Sequence, residues 1–166
     1  MKRVILDTNI YGKMVLDEEL DEIKEAVKIK VIVYGSEVIR KEIRRAPRWT
    51  VKYPKNLRMD LLRLYDSLVK HNIVITPEIL RLAENYYLTY SELGGRLAKS
   101  DILTDLIIVA CASIKGLDIV VSNDEDTMLD KDFQKIYSLV NKLASKRNPS
   151  FLNYVEFKIS VRRSLL

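Results

Sequence analysis

Two short runs of purely apolar residues, Val4-Ile5-Leu6 and Ile119-Val120-Val121, each break off into an acid-bearing segment. Asp7-Thr8-Asn9 follows the first, and Ser122-Asn123-Asp124-Glu125-Asp126 follows the second. A strand that is apolar at every position has no face for water, so it belongs in a parallel sheet covered by helices on both sides. Val31-Ile32-Val33-Tyr34, closed by Gly35, reads the same way, and so does Ile73-Val74-Ile75. Between these runs the apolar spacing becomes helical. Leu20, Ile23 and Val27 mark a helix over 17–28. Ser36 caps a helix that carries Val38, Ile39, Glu42 and Ile43 and ends at Pro47. Leu57, Leu61, Leu64 and Leu68 mark a helix over 56–70, and Pro77 opens one that runs to about Tyr90. Gly94-Gly95 breaks the chain, and Arg96 to Lys99 reads as a mobile loop. A strongly apolar helix then runs from Ser100 or Asp101 to Lys115, and two more follow over 130–145 and 154–163. Strands alternating with helices specify an α/β fold around a parallel sheet.

The chain's 166 residues suit a single domain over 1–166. With 48% hydrophobic and 31% charged residues it can build a core, which excludes a disordered chain. Its single cysteine, Cys111, excludes an internal disulfide framework, and its single histidine, His71, excludes a histidine-built metal cluster. Cys111 reads as a small buried residue, and His71 as a helix-end residue facing solvent. The longest uncharged apolar run, Leu106 to Ile114, falls short of the ~20 residues of a membrane span. The apolar N-terminal run stops at Asp7, too early for a signal peptide. A cytoplasmic protein with no membrane partner is the expectation. A net charge of +5 favours a polyanionic partner.

The placement of the acids carries the chemistry. In open α/β sheets, ligands bind beyond the carboxyl ends of strands, where the strand order reverses. Asp7 and Asp124 sit at such ends, with Asp126 close behind. Asp105 lies early in the apolar helix, one turn after Asp101, and Glu42 stands among Arg40, Lys41, Arg44 and Arg45. Each acid alone has a structural reading: a capped turn for Asp7, an ion pair for Glu42, a dipole-favoured helix acid for Asp105, an ordinary loop for Asp124. Brought together, four carboxylates repel and raise one another's pKa, a conflict that a divalent cation removes. All-oxygen ligation suits Mg²⁺ or Mn²⁺, which can activate water and steady a phosphoryl oxygen.

On these residues the chain resembles the PIN-domain nucleases, including the VapC-like members. Val4 to Asn9 is similar to their first motif, an apolar strand running into Asp-Thr-Asn. Ser36 to Ile43, with Glu42, is similar to the second, Asp105 to Ala112 to the third, and Val120 to Asp126 to the fourth. Thr127 and Met128 depart from the family, which often has an aromatic residue after the last acid, and the stretch from Ala46 to Leu97 is long for the smallest toxins.

The resemblance implies a three-layer α/β/α sandwich with about four or five parallel strands. It implies metal-dependent endoribonuclease activity, with Asp7, Glu42, Asp105 and Asp124 as catalytic residues and, with Asp126, as Mg²⁺ or Mn²⁺ ligands. Thr8, Asn9 and Ser122 would orient those ligands. Arg40, Arg44, Arg45, Arg48, Trp49 and Lys52 would contact RNA, and Tyr53 would stack or pack. The expected partners are RNA, an antitoxin protein and a second copy of the chain. A toxin and an RNA-processing enzyme both fit. A non-catalytic module that binds RNA or protein is the alternative. A haloacid-dehalogenase-like phosphatase is disfavoured, because Asn9 stands where that family needs an aspartate.

Overall fold

A computed structural model describes residues 1–163. The first half runs β1 (Lys2–Leu6), α1 (Thr8–Val15), α2 (Leu20–Lys30), β2 (Val31–Ser36), α3 (Glu37–Arg45), α4 (Leu57–Leu68) and β3 (Val69–Ile73). The second runs α5 (Pro77–Glu92), α6 (Lys99–Ile114), β4 (Ile119–Val121), α7 (Lys131–Leu143), β5 (Ser150–Leu152) and α8 (Tyr154–Arg163). All five strands are parallel, in the order β3-β2-β1-β4-β5. The fold is the expected α/β/α sandwich.

The chain builds outward from β1 to β2 and β3, then returns across the sheet to β4 and β5. Parallel crossovers are right-handed, so reversing direction moves the helices to the opposite face. The packing agrees: α1 contacts α3 and α4 on one side, while α5 contacts α6 and α7 on the other. The reversal point falls between β1 and β4, where Ile5 is in register with Val120 and Leu6 with Val121. The residues paired there, Val4-Ile5-Leu6 and Ile119-Val120-Val121, are all apolar and all buried. Helix α6 is buried continuously from Leu106 to Ser113, which explains its lack of a polar face. Cys111 lies in that buried run.

Three elements differ from the sequence expectation. Helix α1 was not signalled, since Thr8, Asn9, Ile10, Gly12 and Val15 are poor helix formers. Burial of Ile10, Tyr11, Met14 and Val15 decides it, and Gly12 stands inside it at a cost of about 1 kcal/mol relative to alanine. The third strand is Val69–Ile73, not Ile73-Val74-Ile75, and α4 ends at Leu68 to make room for it. It is an edge strand in which Lys70, His71 and Asn72 are exposed. His71 is therefore a strand residue, its ring 5.0 Å from that of Tyr34, rather than a helix end. The second edge, β5, is only three residues long and had no distinct pattern. The loop after Gly94-Gly95 is anchored, because Tyr90 Oη accepts the backbone N–H groups of Arg96 and Leu97, both at 3.0 Å. No helix among the described residues is long and apolar enough to cross a membrane.

Candidate metal and nucleic-acid site

The acids gather over the carboxyl ends of β1 and β4. Asp7 leaves β1 and caps α1, as its structural reading expects. Its Oδ1 accepts the Thr8 backbone N–H at 2.7 Å. Its Oδ2 accepts from Asn9 Nδ2 and from Ser122 Oγ, each at 2.7 Å. Thr8 Oγ1 in turn donates to the Glu42 carboxylate on α3. Asp7 and Glu42 are thus joined by one threonine, and Asp7 and β4 by one serine.

The same construction repeats on the other side. Ser122 Oγ accepts the Asp124 backbone N–H at 3.0 Å, fixing the start of the loop after β4. Asp124 Oδ1 then accepts the backbone N–H groups of Asp126 at 2.8 Å and Thr127 at 3.1 Å. Thr127 Oγ1 donates to Asp105 Oδ2 at 3.0 Å, tying α6 to that loop. Asn123 adds a further link: its N–H donates to Asn9 Oδ1 at 3.1 Å, and its Oδ1 accepts the Tyr154 N–H at the start of α8 at 2.8 Å.

The structure therefore brings together Asp7, Glu42, Asp105 and Asp124, with Thr8, Asn9 and Ser122 as connectors. Asp126 contributes its backbone, while its side chain is exposed. Thr127 is the connector that the sequence did not reveal. It marked only a departure from a pattern, although it is buried and bonded to two acids at once.

The electrostatics are those of acids crowded without a counter-charge. Burial pushes Asp7 up to about 6, against the bonds from Ser122 and Thr8, and the charges of Glu42 and Asp124 push the same way. Asp105 is pushed up to about 8, first by burial. A hydrogen bond to Asp124 that only the protonated acid can donate, and repulsion from Asp7 and Asp124, add to it. Hard carboxylate oxygens that repel one another fit a divalent cation such as Mg²⁺ or Mn²⁺. Among the described residues, no three acids, histidines or cysteines stand close enough to grip one ion in the present side-chain arrangement. The donor chemistry, carboxylate oxygens raised by burial and by one another, is what fits such an ion.

The expected RNA-contact residues lie on α3 and the segment after it. Arg40 is engaged with Asp66 at 2.9 Å and lies over the Tyr65 ring. Arg44, Arg45, Arg48 and Lys52 are exposed, as is Trp49, at 65%. Tyr53 is half-buried, and its hydroxyl donates to Asp60 at 2.5 Å.

The fold is a parallel sheet whose reversal point is edged by acids from four separate segments. The PIN domain family model matches residues 4–136, and the chain belongs to that family. Among solved structures it is similar to VapBC2 from Rickettsia felis bound to a promoter DNA fragment, at 13% identity and a TM-score of 0.56. That match covers 91% of this chain and 98% of the other. It is also similar to DNA-bound VapBC from Salmonella typhimurium, at 14% identity and a TM-score of 0.57, covering 93% and 99%. FitAB bound to the IR36 DNA fragment gives 14% identity and a TM-score of 0.52, covering 91% and 94%. At these identities the likeness is one of fold. No curated relative matches the sequence.

Proposed function

We propose that the protein is a metal-dependent endoribonuclease of the toxin-type PIN class. The observation that carries this reading is the chain of connectors Thr8, Ser122 and Thr127, which draws Asp7, Glu42, Asp105 and Asp124 together at the reversal point of the sheet. An Mg²⁺ or Mn²⁺ ion bound there would supply a polarised water and a counter-charge for the phosphoryl oxygens. Asp7, Glu42, Asp105 and Asp124 would hold it, with Asp126 reaching in from the loop. Thr8, Asn9 and Ser122 keep the carboxylates oriented, and burial of Asp7 keeps bulk water from competing. Arg44, Arg45, Arg48 and Lys52 supply the positive field that draws in an RNA backbone, with Trp49 as a stacking surface.

VapBC and FitAB, to which the chain is similar, are complexes bound to DNA. They support an antitoxin protein as the partner that would hold this chain silent. The non-catalytic alternative draws on one observation, the absence of a ready-made three-ligand grip among the described residues.

Incubating labelled RNA containing unpaired regions with Mn²⁺ or Mg²⁺ separates the two. The nuclease reading predicts cleavage that EDTA abolishes and that Asp7→Asn reduces at least about a hundredfold, the scale of one lost electrostatic contact to the transition state. Equal cleavage by wild type and Asp7→Asn, or RNA binding without cleavage, contradicts it.

A further inference from the structure

Strand β5 and helix α8 lie beyond the stretch that matches the family. α8 packs against α2, with Tyr154, Phe157 and Val161 buried. Asn153 and Glu156 cap its start reciprocally, each side chain accepting the other's backbone N–H at 2.9 Å.

From this position α8 reaches both ends of α1. At the first end the Tyr154 N–H donates to Asn123 Oδ1 at 2.8 Å, and the Asn123 N–H donates to Asn9 Oδ1 at 3.1 Å. Asn9 Nδ2 completes the path to Asp7 Oδ2 at 2.7 Å, and Asn123 directly precedes Asp124 in the chain. At the other end Tyr154 Oη donates to Asp17 Oδ2 at 2.8 Å, and Lys158 Nζ donates to both Asp17 oxygens at 3.0 and 2.9 Å. Asp17 is the corner between α1 and α2: its N–H donates to the Met14 carbonyl at 3.1 Å, and its Oδ1 accepts the Glu19 N–H at 2.9 Å. Pairs of Lys158 and Arg162 with Glu19, and of Arg162 with Glu22, continue the seam along α2.

We propose that α8 is a brace for the acid site, with Asn123 and Lys158 as positioning residues that fix α1 against the loop after β4. Asp7, which caps α1, and Asp124, in that loop, are thereby held in one relation to each other. The brace serves the metal site proposed above and rests on that reading, and neither Asn123 nor Lys158 is a metal ligand. α1 needs such a device because it is built of poor helix formers, so contacts from outside set its position. The Lys158–Asp17 pair suits the task. Its side chains are only 21% and 13% exposed, and desolvation offsets much of the attraction in such a pair, so its benefit lies in fixing which groups meet.

Two measurements test the brace, at a temperature where every variant is folded. Lys158→Met keeps the apolar stem and removes the charge, while Lys158→Arg can still bond both Asp17 oxygens. In metal-free protein, amide hydrogen exchange at Thr8 and Asn123 should quicken about tenfold in Lys158→Met, the scale of one lost charge-assisted hydrogen bond. It should quicken by more there than at Ile5 and Val120 in the sheet. Mn²⁺ affinity measured by calorimetry should fall about tenfold in Lys158→Met and return in Lys158→Arg. Asn123→Ala should weaken Mn²⁺ binding and loosen Thr8 in the same way, and it carries the comparison if Lys158→Met does not fold. A helix that only adds stability would lower the melting temperature, quicken exchange at all four amides alike and leave Mn²⁺ affinity unchanged. Either of the last two results overturns the proposal. If wild type binds no Mn²⁺, the metal reading falls by itself, and the exchange rates alone decide whether α8 braces α1.

Discussion

Thr127 shows how much a single connector can carry. Its hydroxyl and its N–H hold two acids that repel one another, Asp105 on α6 and Asp124 after β4. Thr127→Val keeps the shape and the N–H but removes the hydroxyl. Mn²⁺ affinity measured by calorimetry should drop about tenfold, within the usual effect of a group that orients a ligand. Thr127→Ser should restore it, and unchanged affinity in Thr127→Val would remove Thr127 from the site. The raised acids make a second residue-level prediction. Asp7 at about 6 and Asp105 at about 8 hold protons in the fold that the unfolded chain has already released. Their penalty to stability is absent below about pH 4, grows as pH rises, and is complete above about 6 for Asp7 and about 8 for Asp105. For Asp7 the displacement from 3.8 to about 6 corresponds to about 3 kcal/mol. In metal-free buffer, Asp105→Asn should melt close to wild type at pH 4 and increasingly above it as pH rises to about 8, where the difference levels off. A constant difference across that range would contradict the assigned crowding.

The elements divide sharply by how far their sequence announced them. β4, the Val4-Ile5-Leu6 part of β1 and the Leu106 to Ser113 part of α6 are legible because they are buried on every side, so pattern and environment coincide. Ser36 caps α3 as the sequence implies, accepting the Ile39 N–H, and Asp130 caps α7 by accepting the Phe133 N–H. α1 and β3 were not legible, for opposite reasons. α1 is held by core contacts against weak propensity, whereas β3 is held by backbone pairing to β2 along one side with little apolar content. At the site, the acids and the connectors Thr8, Asn9 and Ser122 could be read from the sequence, but the connectors Thr127 and Asn123 required the chain's geometry. Asn123 is an example, since it joins α1, the loop after β4 and the N-terminus of α8. Asn123→Ala leaves the Tyr154 N–H without its partner. It should lower stability by roughly 1–3 kcal/mol in urea unfolding, and an unchanged midpoint would show that α8 docks independently. Another anchor of α8 is Asp17, which accepts from Lys158 at 2.9 Å and from Tyr154 at 2.8 Å.

At the scale of the whole molecule, the acids of the candidate site and the exposed arginines meet on α3, which carries Glu42 beside Arg44 and Arg45. The carboxylates sit over β1 and β4 at the reversal point, and the exposed arginines continue from α3 into the following segment. With a net charge of +5, long-range attraction favours a polyanion, and the local acid cluster opposes it unless a cation intervenes. RNA affinity should consequently fall steeply with added monovalent salt and rise when Mn²⁺ is supplied. Affinity independent of salt would contradict the basic surface as the docking face. The central claim is that Asp7, Glu42, Asp105 and Asp124 together form one divalent-cation site. Titrating Mn²⁺ into metal-free protein, with free Mn²⁺ followed by electron paramagnetic resonance, tests it most directly. The account predicts saturable binding that raises the melting temperature of wild type and is lost in both Asp7→Asn and Asp105→Asn. Equal binding by wild type and both variants, or no binding at millimolar Mn²⁺, would contradict it.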